Sequence, residues 1–166
     1  MTPWNLRSAE ERTLLNPAFL AILLWHAGRG YAAAATARPF LFHEAFLILP
    51  FILDRHTREL LPRSTRTSLP AWLEDNPLIR TRVLPRARLL VPFTKEAVLF
   101  GCGQGLLNLS ASEIKADERW RRAIKQMLRS CTEEVAECAT KAEFLAKWFS
   151  SAGSSQTIFV LLGLRP

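Results

Sequence analysis

Cysteine and histidine are scarce in this sequence of 166 residues, which contains three of each. No two histidines have the i, i+4 spacing that places two imidazoles on one face of a helix, so we expect no metal site. An odd number of unevenly spaced cysteines fits a reducing compartment better than a disulfide framework. We therefore expect a cytoplasmic protein whose thiols are buried and structural, with Cys131 and Cys138 on the same side of one helix.

Long apolar runs are also lacking. Two apolar-rich uncharged stretches, 13–28 and 97–112, hold 16 residues each, whereas a membrane span needs about 18 or more apolar residues. The first apolar segment follows Glu10, Glu11 and Arg12, which is unlike the basic start of a signal peptide. These features predict a protein without membrane association or secretion.

The sequence lacks recognisable catalytic motifs as well. The glycine-rich string at 101–105 has neither the Gly-x-Gly-x-x-Gly spacing nor the Lys-Ser/Thr ending of phosphate loops, so we interpret its glycines as close-packing positions. No Gly-x-Ser-x-Gly elbow occurs. A small hydrolase or nuclease would need paired acids or a metal triad, and the sequence offers neither. It therefore predicts a protein that is not an enzyme and that uses no cofactor.

Helical periodicity dominates what the sequence does contain, and 49% of the residues are hydrophobic. Asn16 and Pro17 predict a helix start, because Asn caps free amide groups and Pro at the first position has no N–H to satisfy. We predict a compact, mainly α domain over 16–166, preceded by an N-terminal arm of residues 1–15. The predicted helices are 16–35, 40–53 with an irregular turn at Pro50, a short helix that starts at Thr67 or Ser68 and is stopped by Asn76, 78–90 opened by Asn76-Pro77, kinked at Pro85 and ended by Pro92, 94–107, 118–139 and 141–150.

Two segments depart from the helical pattern. Weak alternation over 106–115, around Ser110-Ala111-Ser112, predicts a small two-stranded hairpin of winged-helix type. The stretch 157–164 is apolar, and such a tail should dock on the domain or enter a groove of a partner. The residues of this candidate partner-docking tail are Ile158, Phe159, Leu161, Leu162, Leu164 and Arg165.

Positive charge is the strongest functional signal, since the formal net charge is +7 and favours acidic partners. Nine basic and four acidic residues lie between Asp54 and Lys95, in a region that begins with an exposed connection, and 119–129 contains no acidic residue. Arginine contacts phosphate or carboxylate in a planar, bidentate way. The alternative interpretation is a solvated helical surface. The candidate DNA- or partner-binding residues are Arg55, Arg58, Arg63, Arg66, Arg80, Arg82, Arg86, Arg88, Lys95, Arg119, Arg121 and Arg122.

A set of short strings gives a more specific signal. They are Asn-Pro-Ala-Phe-Leu at 16–20, Ser-Thr-Arg-Thr-Ser-Leu at 64–69, Trp-Leu at 72–73, Asn-Pro at 76–77, Thr-Lys-Glu-Ala at 94–97 with Phe-Gly at 100–101, and the ending from Ile158 to Pro166. In this order the strings resemble the middle component of bacterial three-component ABC ATPase systems. The resemblance implies a non-catalytic adaptor between an ABC ATPase, related to chromosome-maintenance and repair ATPases, and a third component that carries an effector. It implies a role in conflict with phage or plasmids.

Two functional hypotheses follow, and both can hold together. The first is an adaptor that binds the ATPase through the apolar tail and one arginine cluster. The second is a module that binds double-stranded DNA, with phosphates contacted by Arg63, Arg66, Arg80, Arg82, Arg86 and Arg88. The second hypothesis predicts a steep loss of affinity with salt.

Overall fold

The computed structural model describes residues 6–36 and 38–164. Within these ranges the chain forms α1 (Ala9–Leu14), α2 (Pro17–Ala32), α3 (Ala45–Leu53), α4 (Arg55–Glu59), α5 (Leu69–Asp75), α6 (Ile79–Gly103), β1 (Leu107–Ser110), β2 (Glu113–Ala116), α7 (Arg121–Arg129), α8 (Glu133–Ser151) and α9 (Ser155–Leu161), with 3-10 turns at Phe42–Glu44 and Glu118–Trp120. The prediction of a compact, mainly α fold with a small hairpin is confirmed. Part of the expected N-terminal arm forms α1, which opens with a capping box between Ser8 and Glu11.

Helix α2 is the centre of the packing. Its predicted start is confirmed, because the Asn16 side chain accepts a hydrogen bond from the Ala18 amide at 2.9 Å. The helix contacts α8 along one side and α6 along another, and α3 packs against both of these helices. Gly30 allows the closest approach, since a Cβ at this position would lie 2.2 Å from the Glu143 carbonyl oxygen of α8.

The predicted α5 helix is also confirmed, because Ser68 caps it as the sequence suggests. The string at 64–69 takes a structural role here. The Thr67 carbonyl accepts a hydrogen bond from the Trp148 indole at 2.6 Å, which ties this connection to α8. Asn76 was predicted to open the next helix, but it does not. Its side-chain amide donates to the Trp72 carbonyl and so closes α5.

Helix α6 is continuous through Pro85 and Pro92, so the predicted end at Pro92 is wrong. Proline removes one backbone donor, and a helix tolerates this loss when packing holds the turns on both sides. The buried residues of α6 include Val83, before Pro85, and Ala97, after Pro92, and both pack into the core. Of the three glycines at 101, 103 and 105, only the first is closely packed.

The helical region after residue 118 breaks at 130–132, not near residue 140 as predicted. Thr132 is extended and precedes two glutamates in the first turn of α8, where negative charge is favourable. The break places Cys131 on the exposed surface, so it is not a buried thiol on the helix of Cys138. Cys138 is buried as expected, and burial raises the pKa of its thiol.

The hairpin pairs Leu107 with Ala116 and Ser110 with Glu113. Its two turn residues, Ala111 and Ser112, have φ angles of 45° and 72°. Two-residue hairpin turns of this kind usually carry Asn or Gly, whose absence explains the weak sequence signal. The turn directs β2 back along β1, where Leu107 and Ile114 join the core.

The apolar tail forms α9 and docks on the domain, which is the first of the two predicted outcomes. Ile158, Phe159 and Leu162 are buried in the core of this chain. The Phe159 ring meets the His43 ring edge-on, with 5.3 Å between centroids. Arg165, also predicted to belong to this surface, lies outside the described residues.

Candidate interaction surfaces

An apolar groove of about 820 Å³ opens where α2 begins and α3 ends. Residues of α1, α6 and the start of α8 line it as well. Phe19, Leu53 and Phe93 are half-buried within it. Leu14 and Leu89 also line it, and 64% and 72% of their surfaces are exposed. An open concavity lined by large apolar side chains is typical of a site that receives an apolar ligand or a partner helix.

The charged side chains along the groove are already paired within the chain. Arg58 is only 2% exposed, although a solvent-facing contact residue was predicted here. Its guanidinium donates to the Ile52 carbonyl at 2.8 Å and forms ion pairs of 3.1 Å with Glu134 and Glu137. All three guanidinium nitrogens therefore have partners. Arg58 holds α4 against α3 and α8, and it is not available to a phosphate.

Asp54 and Arg86 form a second ion pair at the groove. Burial opposes ionisation of Asp54, but hydrogen bonds from Thr57 and Arg86 and the charge of Arg86 outweigh it and lower the pKa of this carboxyl. The Asp54 side chain also accepts a hydrogen bond from the Thr57 amide and thereby caps α4. Arg86 thus contributes to the structure of the groove, and its guanidinium is not a free cation on the surface.

The remaining predicted basic residues do not form one surface. Arg55 pairs with Glu59, and Arg119 pairs with Asp117 at 2.7 Å. Arg80 donates to the Leu161 carbonyl at 2.8 Å, so it supports the α9 tail. In the described part of the chain, the exposed basic residues of the set without an ion pair are Arg63, Arg66, Arg80, Arg82, Arg88, Lys95, Arg121 and Arg122.

The five basic residues of α6 lie on two opposite faces of the helix. At 100° per residue, Arg80, Arg88 and Lys95 fall within about 80° of one another, and Arg80 on this face donates to the Leu161 carbonyl. Arg82 and Arg86 lie about 40° apart on the other face, where Arg86 lines the groove. A continuous phosphate contact along α6 would require these side chains to lie on one face. The structure does not bring them together.

Helix α7 carries a denser cluster that the candidate set included only in part. Arg121, Lys125 and Arg129 are exposed and recur every four residues, and exposed Arg122 lies about 20° from Arg129 around the axis, so the four fall within an arc of about 100°. Within the described residues, no carboxylate lies within 4.0 Å of any of these cations. We call this cluster the cationic stripe. Its sequence signal was the acid-free run at 119–129.

Carboxylates near the cationic stripe are bound elsewhere. Glu118 accepts from Arg29 at 2.9 Å, and Glu143 accepts from both Arg29 and His26 at 3.0 Å. The hydrogen bond from His26 lowers the pKa of Glu143, the charge of Arg29 lowers it further, and burial opposes both. The charge of Arg121 also lowers the pKa of Glu143, to a smaller extent. The positive charge of the stripe therefore stays largely uncompensated.

Two further findings restrict the chemistry of the described residues. No group of three or more His, Cys, Asp and Glu side chains among them is placed to hold a metal ion. No helix in the same part of the chain is long and apolar enough to cross a membrane.

Comparison with known proteins gives one match. The family described as "ABC-three component (ABC-3C) system Middle Component 3" matches residues 4–166. No curated protein and no solved structure matches the chain. The winged-helix type of the hairpin therefore stays a prediction.

Proposed function

Since this chain belongs to the family of ABC-three component system middle components, we propose that it is the non-catalytic adaptor that joins the ABC ATPase to the third, effector component. Membership of a multi-component system implies that partner components exist. The proposal adds that this chain binds them directly in the cytoplasm, takes no catalytic step itself, and serves defence against phage or plasmids. It places the main contact in the apolar groove.

The apolar groove is the observation that carries this proposal. A volume of about 820 Å³ accepts several large side chains of a partner helix. Asp54 and Arg58 at the groove are already paired, so recognition there depends on apolar burial and shape. Leu14 and Leu89 are exposed at the same groove and would lose water contact when a partner helix enters.

The tail contributes less to this proposal than the sequence suggested. Ile158, Phe159 and Leu162 are buried in the chain's own core, and binding a partner through them would require α9 to undock. Val160 is 71% exposed and remains open to a partner. We assign α9 the task of completing the domain, and we assign the groove the task of docking.

Co-expression with the ABC ATPase and the third component tests the proposal. The chain should co-purify with at least one of them in a fixed stoichiometry. Leu89→Asp, at the groove, should weaken this complex about 30-fold or more, as expected when an anchor worth about 2 kcal/mol is removed. Leu99→Asp is the matched control, because Leu99 lies on the same helix outside the groove and is 74% exposed against 72% for Leu89.

Equal binding by the two variants would mean that the groove is not the docking site. A chain that forms no complex with either component would contradict the adaptor function itself.

A further inference from the structure

We propose that the cationic stripe on α7 binds the phosphate backbone of double-stranded DNA without reading its sequence. This activity goes beyond the adaptor function and does not rest on it, because the stripe and the groove share no residue. Met127 of α7 lines the groove, whereas the four cations lie on a different face of the same helix.

The charge of the stripe is the first argument. Four cations within nine residues lack a carboxylate partner in the described chain, and the nearby acids Glu118 and Glu143 are held by Arg29. Cations that the protein leaves without carboxylate partners attract a polyanion strongly, because binding releases the counterions condensed on the polyanion. Of the other candidate basic residues that are exposed and lack an ion pair, Arg63 and Arg66 lie in a connection, and those of α6 are divided between two opposite faces.

The chemistry of the stripe suits a nucleic-acid backbone. From Arg121 to Arg129 the helix rises about 12 Å, at about 1.5 Å per residue. Over such a length a DNA duplex presents several equivalent phosphates. Arginine and lysine both contact phosphate without regard to base identity. We therefore infer the repeated phosphates of a duplex as the partner, and competition with an acidic polymer separates them from an acidic protein surface.

The anchoring of α7 allows the stripe to be presented as a rigid row. The preceding Trp120 donates its indole N–H to the Gly105 carbonyl at 3.0 Å. Away from the cations Ile124 is buried and Met127 is half-buried, and Leu128, half-buried as well, lies beside Arg121. The cations are therefore fixed to the domain through the apolar face of α7 rather than through a flexible loop.

Fluorescence anisotropy with a labelled 20-base-pair duplex tests this inference on the full chain. Four phosphate contacts predict a slope of about −3.6 for log K against log salt. The double variant Arg122→Gln/Lys125→Gln should make the slope shallower, at about −1.8, and weaken binding by about two orders of magnitude. Arg121 is left in place because it also acts on Glu143.

The matched control is Arg88→Gln/Lys95→Gln on α6, which removes the same charge from two exposed residues. It should leave the slope near −3.6 and change Kd by less than about threefold. Equal losses in the two double variants would overturn the assignment, because binding would then follow net charge alone. Binding that does not respond to salt would overturn it as well.

Two measurements on the unmodified chain complete the test. In the first, lysines are acetylated with and without the duplex. The bound duplex should protect Lys125 from acetylation and leave Lys95 reactive. Equal reactivity of Lys125 in both states would contradict the proposal. Poly-L-glutamate at the same charge concentration should displace the duplex poorly. Equally effective displacement would point to an acidic protein surface as the partner and would reject duplex DNA.

Discussion

Replacing Arg58 with methionine is the sharpest test of the structural account, because the sequence marks this residue as a contact for partners and the structure buries it. Arg58→Met retains an unbranched side chain of similar reach and removes the charge. The Ile52 carbonyl loses its 2.8 Å donor, and Glu134 and Glu137 lose their 3.1 Å partner. The substitution therefore separates a structural role of the guanidinium from a role in binding.

The expected loss follows from these contacts. A buried carbonyl without a donor costs about 1–3 kcal/mol, and the two ion pairs to partly exposed carboxylates contribute roughly 0.2–1 kcal/mol each. Methionine no longer buries a charge, which offsets part of this loss. A net change of about 2 kcal/mol should lower Tm by about 4–8 °C in a domain of this length.

Thermal unfolding followed by circular dichroism measures this difference. Arg55→Met is the control, since Arg55 lies in the same helix with 78% of its side chain exposed and pairs only with Glu59. The control should stay within about 2 °C of the unmodified protein. If Arg58→Met also melts within 2 °C of the control, the reasoning about the buried guanidinium is refuted.

Three further predictions concern acid stability, close packing and the hairpin. Asp54→Asn should lower the free energy of unfolding at pH 7 by about 1 kcal/mol. The difference between the two proteins should shrink below about pH 4. A carboxyl with a lowered pKa stabilises the fold above its ordinary pKa, and this stabilisation is lost as pH falls through the lowered value. A constant difference in urea titrations from pH 7 to 3 would contradict this. Gly30→Ala should destabilise the protein by more than about 3 kcal/mol, because a Cβ would meet the Glu143 carbonyl at 2.2 Å. Gly103→Ala is the control, since its Cβ would enter open space, and it should change Tm by less than about 3 °C. Similar melting of these two variants would contradict the packing of α2 on α8. Ala111→Asn/Ser112→Gly should raise stability by about 1 kcal/mol, because both positions have positive φ, and an unchanged denaturant midpoint would speak against this turn geometry.

Local signals explain the parts of the fold that the sequence predicts well. Asn16 and Ser68 cap their helices through side-chain contacts that span two or three residues, so their effect is readable in a single string. The mainly α class follows from apolar periodicity in the same way. These features depend on near neighbours along the chain.

The predictions that failed depend on contacts between distant residues. Pro92 stays within α6 because the buried faces before and after it are held by α2 and α3. Arg58 is buried because Glu134 and Glu137 arrive from nearly 80 residues away, and no local pattern reveals them. The groove likewise combines segments from α1 to α8, so it could not be predicted from any single motif.

The acid-free run at 119–129 shows what sequence reasoning can give for a surface. It identified the cations of α7, but a run alone does not show which side chains share a face. That information required the helix boundaries at Arg121 and Arg129 and the partners of nearby acids. The arginines of α6, equally prominent in sequence, divide between two opposite faces once the helix is known to be continuous.

Hydrogen–deuterium exchange of the full chain, with and without the ABC ATPase and the third component, shows whether the groove receives a partner. Docking should slow exchange in peptides that cover the groove, namely 9–22, 84–94 and 127–138. Peptides from α9 should exchange at the same rate in both states, because Ile158 and Leu162 are already buried in the free chain. Unchanged exchange in the three groove peptides within a verified complex would contradict the claim that this groove receives a partner.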